Sequence, residues 1–294
     1  MKDYVLRATA ANNQIRAFVA TSKYLTDKAA TIHKTSAVAT AALGRSLTAA
    51  AVMGLMLGND DHSLTINIRG DGPIKGVLVV TDGLGNVRGY VNNPAADVED
   101  RPDGKLNVGG AIGNGQLTVA KDLGLKEPYV GTTPLVSGEI AEDLATYFMY
   151  SEQTPSIISL GVMVDVDLSV RAAGGFFIQL LPGASDHTID QLEAHIKDFP
   201  PISQLLDQQK SPEDILELLL APFNYEITEN HPIAFACNCG KERMERALIS
   251  LGVSELQSIL EEQGQAEISC HFCNKTYCFQ EDELRQLIGG LESL

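Results

Sequence analysis

Tryptophan is absent from this 294-residue chain, and aromatic residues together make up only 6% of it. Single-stranded nucleic acids are commonly gripped by stacking bases on aromatic rings, so this scarcity counts against such a partner. Positive charge is short as well. The 22 Lys and Arg face 38 Asp and Glu, giving a formal net charge of −16, and no Lys/Arg run concentrates what there is. A polyanion repels phosphate backbones and anionic lipid surfaces, so neither nucleic acid nor a membrane is expected as a partner. The amino terminus, Met1 to Tyr4, leads into a strand-like segment and not into a charged-then-apolar leader. One long apolar stretch runs from Ala37 to Leu57. It contains Thr40, Arg45, Ser46 and Thr48 and owes its bulk to alanine, so it reads as a buried helix and not a membrane span.

Catalytic signatures are missing too. His33, His62, His187, His195 and His231 show no H-E-x-x-H spacing. Gly83-x-Gly85 is followed by Arg88 where a dinucleotide fingerprint needs a third glycine, and Gly109 to Gly115 lacks the Gly-Lys-Ser/Thr of a phosphate loop. Turn geometry accounts for both, no catalytic triad can be assembled, and no enzyme activity is expected.

Cysteine is scarce but pointedly placed. Of five, four form two close pairs, Cys237-Asn238-Cys239 and Cys270-His271-Phe272-Cys273, separated by thirty residues. Four thiolates brought together by a small fold suit one tetrahedral zinc ion, so Cys237, Cys239, Cys270 and Cys273 are the expected metal ligands. His271 lies inside the second pair and could rotate toward the ion. Cys278 stands outside the pattern and is expected to be a buried strand thiol. With clustered thiols and no leader, a reducing cytoplasmic location is expected.

Composition and pattern divide the chain in three. Residues 1–182 read as an α+β domain. Strands are expected at 64–68, 77–80 and 87–91 as an antiparallel meander, and at 116–120, 157–165 and 176–181; helices are expected at 35–57 and 137–151. Pro182-Gly183 closes it. Residues 183–231 read as an acidic helical linker: from Ala184 to Pro232 there are 10 acidic residues and 2 lysines. Thr188-x-x-Gln191 is read as a capping box, and Ser211-Pro212-Glu213-Asp214 as a cap that opens a second short helix. Isolated helices below about 12–15 residues are marginal in water, so this stretch is expected to be metastable unless docked. The alternative is an ordinary interdomain connector. Residues 232–294 read as a small zinc-binding domain, with helices at 241–251 and from Ser254-x-x-Gln257 to Gly264, strands at 266–269 and 276–279, and a helix at 280–288.

A domain of about 60 residues has little core, and structural zinc contributes an apparent ~10–16 kcal/mol in small zinc peptides, so losing the ion should unfold it. Zinc held by four thiolates has no open coordination position, which excludes hydrolytic work there, yet its sulfurs remain oxidisable. Each close pair can shut locally as a disulfide. A plain structural zinc ribbon in a constitutive adaptor protein satisfies the cysteines equally well, and a thiol–disulfide exchange enzyme is supported only by Cys270-x-x-Cys273 without its usual βαβ setting.

Beyond the cysteines, Arg69-Gly70-Asp71-Gly72-Pro73-Ile74, the 173–183 run Ala-Gly-Gly-Phe-Phe-Ile-Gln-Leu-Leu-Pro-Gly and Phe235-Ala236-Cys237-Asn238-Cys239 carry a further signal. Over its whole length the chain resembles the 33 kDa chaperonin family, the redox-regulated heat-shock chaperones of bacteria. The resemblance implies a stress-response holdase that needs no ATP and is inactive while reduced, with one zinc per chain. Oxidation, joined by heat or another unfolding stress, would release the ion, form the Cys237–Cys239 and Cys270–Cys273 disulfides and unfold the linker. A homodimer would then hold unfolded client proteins. The apolar helix faces Leu192/Ile196/Phe199 and Leu216/Leu219/Leu220 are expected to supply part of an exposed client surface.

Overall fold

A computed structural model describes residues 2–292. The backbone divides into two compact units, with the boundary between Ala236 and Cys237. In chain order the first unit contains β1 (Tyr4–Ala10), β2 (Ile15–Thr21), α1 (Lys23–His33), α2 (Ala37–Leu55), β3 (Ser63–Gly70), β4 (Gly76–Asp82), β5 (Asn86–Val91), α3 (Val108–Ile112) and β6 (Gly115–Asp122). It continues with β7 (Tyr129–Pro134), α4 (Ala141–Tyr150), β8 (Ser156–Val164), β9 (Val170–Leu180), α5 (Asp186–Ile196), α6 (Ile202–Asp207), α7 (Pro212–Leu220), β10 (Tyr225–Pro232) and β11 (Ala234–Phe235).

One sheet runs β10-β1-β2-β9-β8 and a second runs β11-β5-β4-β3-β6-β7. Every pairing is antiparallel except the short β11–β5 contact. The architecture is α+β with antiparallel sheets, as the sequence leads one to expect, and the anticipated meander is β3-β4-β5. Its second turn explains one glycine-rich stretch. Asp82 Oδ1 accepts the Leu84 and Asn86 amides at 3.0 Å each, while Gly85 sits at φ +83, open to glycine at no steric cost.

Helix α2 begins where the Ser36 hydroxyl accepts the Ala39 amide. It is long and apolar enough to cross a membrane, but 94% of that stretch is buried inside the first unit, so it is a core helix. The first sheet is apolar on both faces. Val5, Phe18, Ala20 and Phe177 join the core built around α2. Leu6, Ala8, Ala10, Ile15, Ala17, Val19, Phe176 and Ile178 face the other way. On that second face lie α5, α6 and α7, which bury Leu192, Ile202, Leu205, Ile215, Leu216, Leu219 and Leu220 against it.

Residues 183–231 are therefore part of the first compact unit and not a separate body. The helices expected there exist, but Leu192, Leu216, Leu219 and Leu220 are buried, and Ile196 and Phe199 are partly covered. The expected exposed faces are docked faces in this state. Helix α5 starts earlier than the Thr188 box implies, because Ser185 accepts the Thr188 amide and is the actual cap. The Ser211 cap stands: its hydroxyl accepts the Asp214 amide at 3.1 Å and the Asp214 carboxylate accepts the Ser211 amide at 2.8 Å. The segment also holds a strand the helical reading lacked. β10 pairs with β1 along its length, largely exposed on both faces, and is tied by Arg7–Glu229 at 2.6 Å. The unit extends past residue 231 because β11 pairs with β5 and the Ala236 amide donates to Val87 O at 2.9 Å.

The second unit holds α8 (Lys241–Ile249), α9 (Val253–Gln263), β12 (Gln265–Ser269), β13 (Thr276–Gln280) and α10 (Glu281–Glu292). Helix α9 opens after Gly252 at φ +85 and not at a Ser254 cap. The core is small: Met244, Leu248, Leu256, Ala266, Phe279, Leu284 and Ile288.

Candidate metal centre

Two local structures present the paired cysteines. Between β12 and β13 the chain makes a tight knuckle. Cys270 N donates to Lys275 O at 3.0 Å, and Cys270 O accepts the Cys273 and Asn274 amides at 3.3 and 2.7 Å. Asn274 takes the left-handed φ of +55 that closes the turn, a conformation asparagine tolerates better than most residues. The other pair precedes α8, whose first turn is closed by the Arg243 and Met244 amides on Gly240 O. Arg243 Nη1 donates to Asn238 Oδ1 at 2.9 Å and so steadies the residue between Cys237 and Cys239.

All four sulfurs lie within 4.8 Å of one another, with Cys237–Cys270 at 3.6 Å and Cys239–Cys273 at 3.3 Å. A tetrahedron with Zn–S bonds of about 2.3 Å has sulfur–sulfur edges of about 3.8 Å, so the spacing fits such an ion. It does not fit bonded sulfur, which would stand at about 2.05 Å, and all five thiols are free. Among the described residues this is the one group of Cys, His, Asp and Glu whose ligand atoms converge in this way.

Electrostatics make the same demand. Burial, together with hydrogen bonds to its three neighbours, pushes the Cys237 thiol up to about 12. Burial also opposes ionisation of Cys239, but the Tyr277 hydroxyl at 3.2 Å and the surrounding sulfurs outweigh it and bring that thiol down to about 7. Cys273 is raised, again chiefly by burial. A partly buried cluster of this kind accommodates one negative sulfur readily and four only with a cation among them.

Neither remaining candidate joins the cluster. His271 is exposed and outside the converging set. Cys278 is exposed, which overturns the buried-thiol expectation. The reason is strand alternation: in β13 Phe279 is the residue turned into the core, so Cys278 must face out. The same alternation puts Tyr277 on the inner side, beside Cys239, a contact that the ligand spacing alone did not reveal.

Comparison with known proteins agrees with this geometry. The family profile described as Hsp33 protein matches residues 3–280. The chain is 50% identical over 289 residues to the 33 kDa chaperonin of Clostridioides difficile, covering 98% of this chain and 99% of that one. It is 48% identical over 293 residues to the 33 kDa chaperonin of Acetivibrio thermocellus, covering 100% and 99%. The crystal structure of the 33 kDa chaperonin, heat shock protein 33 homolog, from Thermotoga maritima superposes with a TM-score of 0.92 at 37% identity, over the full length of both chains. A fold, a sulfur cluster and near-complete alignment that agree this closely place the chain in the Hsp33 family of chaperones.

Proposed function

We propose that the chain is a cytoplasmic, redox-regulated holdase, not an enzyme, whose reduced form carries one zinc ion on Cys237, Cys239, Cys270 and Cys273 and is inactive. Zinc, when bound, would offset half of the charge of the four thiolates and link the two cysteine pairs, which a core as small as that of the second unit needs.

The switch is thiol oxidation. A cysteine thiolate attacks one oxygen of hydrogen peroxide, the O–O bond breaks, and a sulfenic acid and hydroxide result, the hydroxide taking up the proton the thiol released and leaving as water. The neighbouring thiolate then attacks that sulfur, the S–O bond breaks, and a disulfide and hydroxide form, the hydroxide becoming a second water with the proton that thiol released. Two thiols and one peroxide thus give one disulfide and two waters, and the product sulfurs no longer bind metal. Pairing within Cys237–Cys239 and Cys270–Cys273 is supported by locality. In the folded cluster the sulfurs of different pairs come as close as 3.3 Å, but once the unit loosens only the close pairs meet without closing a long loop.

The observation that carries the reading is the second face of the first sheet. An apolar surface is covered by α5, α6 and α7, helices of 11, 6 and 9 residues in an acidic segment, which depend on docking for their stability. That segment continues through β10, a largely exposed edge strand, and β11 directly to Cys237. Loss of the metal-held fold frees the end of this segment, the helices undock, and both apolar faces become available to unfolded client proteins and to a second copy in the active homodimer. Neither nucleic acid, membrane nor ATP has a part in it.

The test is to treat metal-loaded protein with peroxide at mild heat, follow metal release, and measure suppression of a thermally unfolding client's aggregation. Suppression should rise as metal leaves. Activity that requires bound metal would instead establish a constitutive zinc-ribbon adaptor.

A further inference from the structure

We propose that the free edge of β8 is where this chain takes an extended apolar segment of an unfolded protein as a sixth strand of its first sheet. The proposal rests on the chaperone reading and names its docking surface. The sheet ends at β8, whose one partner strand is β9. The Leu180 amide bonds Pro155 O at 3.3 Å, and antiparallel alternation from that pair turns the N–H and C=O groups of Ile158, Leu160 and Val162 away from β9. Among the described residues no backbone group receives them. An open edge of this kind is a template for another strand, and backbone pairing is indifferent to client sequence.

Along this edge runs a groove of about 520 Å³, within the ~300–1,000 Å³ range of ligand sites. One wall is the start of α6, from Pro201 to Gln204. The other carries Arg45, Arg101 and Lys105 together with Glu139 and Glu142, and Asp103 pairs with Arg101 at 3.5 Å and Lys105 at 3.3 Å, so its charges balance. Glu139 bonds Arg45 at 2.6 Å and Arg101 at 3.5 Å. Ile158, Leu160, Val162 and Ile202 line the groove with apolar side chains, which is why an apolar segment is specified. Because α6 forms a wall, its undocking in the proposed active state widens the groove and bares the edge.

The experiment uses the full-length chain, reduced and metal-loaded or peroxide-oxidised. The probe is a fluorescein-labelled nonapeptide of alternating Val and Thr, with two further copies N-methylated on alternate residues, one copy for each parity. Oxidised protein should bind the parent peptide, lose one methylated copy by about tenfold or more, and keep the other. Ile158→Pro removes one outward N–H while sparing the β9 ladder, so it should weaken binding about fivefold or more and leave peroxide-driven metal release unchanged. Equal affinity for both methylated copies, equal affinity in Ile158→Pro, or a variant that only becomes monomeric would each overturn the assignment. If the wild type suppresses aggregation and Ile158→Pro matches it on peptide and client alike, the β8 assignment alone falls. If the oxidised wild type suppresses nothing, the chaperone reading falls with it.

Discussion

Gly161 is the position where docking of the acidic segment can be loosened without touching a cysteine. It lies in β8 beneath α6. A methyl group added to it would lie 2.8 Å from Ser203 Cβ, 3.0 Å from Ile202 Cγ2 and 3.0 Å from the Ser203 amide nitrogen. Its φ is not in the left-handed region, so alanine suits the backbone and the whole effect is one of packing. Two of the three clashes involve groups held in place by the helix, and Ile202 is 2% exposed, so α6 must shift outward. Overpacking of this kind costs about 1–3 kcal/mol, which changes the undocking equilibrium about 5- to 150-fold. Gly161→Ala should therefore speed amide exchange across α6 and neighbouring α5 and α7 in reduced, metal-loaded protein by that factor. It should also give measurable suppression of client aggregation without oxidant, while metal affinity stays at the wild-type value. Unchanged exchange in α6 would show that the close approach of helix and strand does not govern docking, and faster exchange with no gain in activity would break the link between docking and repression.

Three further outcomes follow from particular residues. Burial pushes the Asp3 carboxyl up to about 6, against the helix α1 amides that lower it; Oδ2 accepts the Leu25 amide at 2.6 Å and Oδ1 has no partner. A folded pKa above the unfolded 3.8 means that this group's stabilisation is full below about pH 4 and is lost as pH rises to about 6. Asp3→Asn should then be more stable than wild type above pH 6, by at most about 3 kcal/mol, with the advantage disappearing by about pH 4; urea midpoints of the first unit across that range measure it. Tyr277→Phe removes the hydroxyl bonded to Cys239 Sγ at 3.2 Å and should weaken metal affinity about 10- to 100-fold in a chelator competition, with the fold kept. Cys278→Ser, at an exposed thiol outside the cluster, should retain one metal per chain and normal peroxide response by mass spectrometry.

What could be read from the chain depended on whether a signal was local. The cysteine pairs were legible because ligand identity and knuckle spacing lie within a few residues, and the structure brings all four sulfurs within 4.8 Å. Ser211-Pro212 was legible for the same reason. Docking of 183–231 onto the first sheet was not, since its partners are far away in sequence: Tyr4 OH donates to Glu213 Oε2 at 2.6 Å, across 209 positions. β10 escaped because an edge strand exposed on both faces has no apolar alternation to betray it. Cys278 was misplaced although the needed signal was present, since a strand over 276–279 that buries Phe279 must expose residue 278.

The most direct measurement is hydrogen exchange over 186–220, read in the same sample before and after peroxide converts the four clustered thiols to disulfides. The account requires that these amides, protected while the helices cover the apolar sheet face, exchange freely once the sulfurs are oxidised and the metal is gone. Protection that persists in fully oxidised, metal-free protein would contradict it.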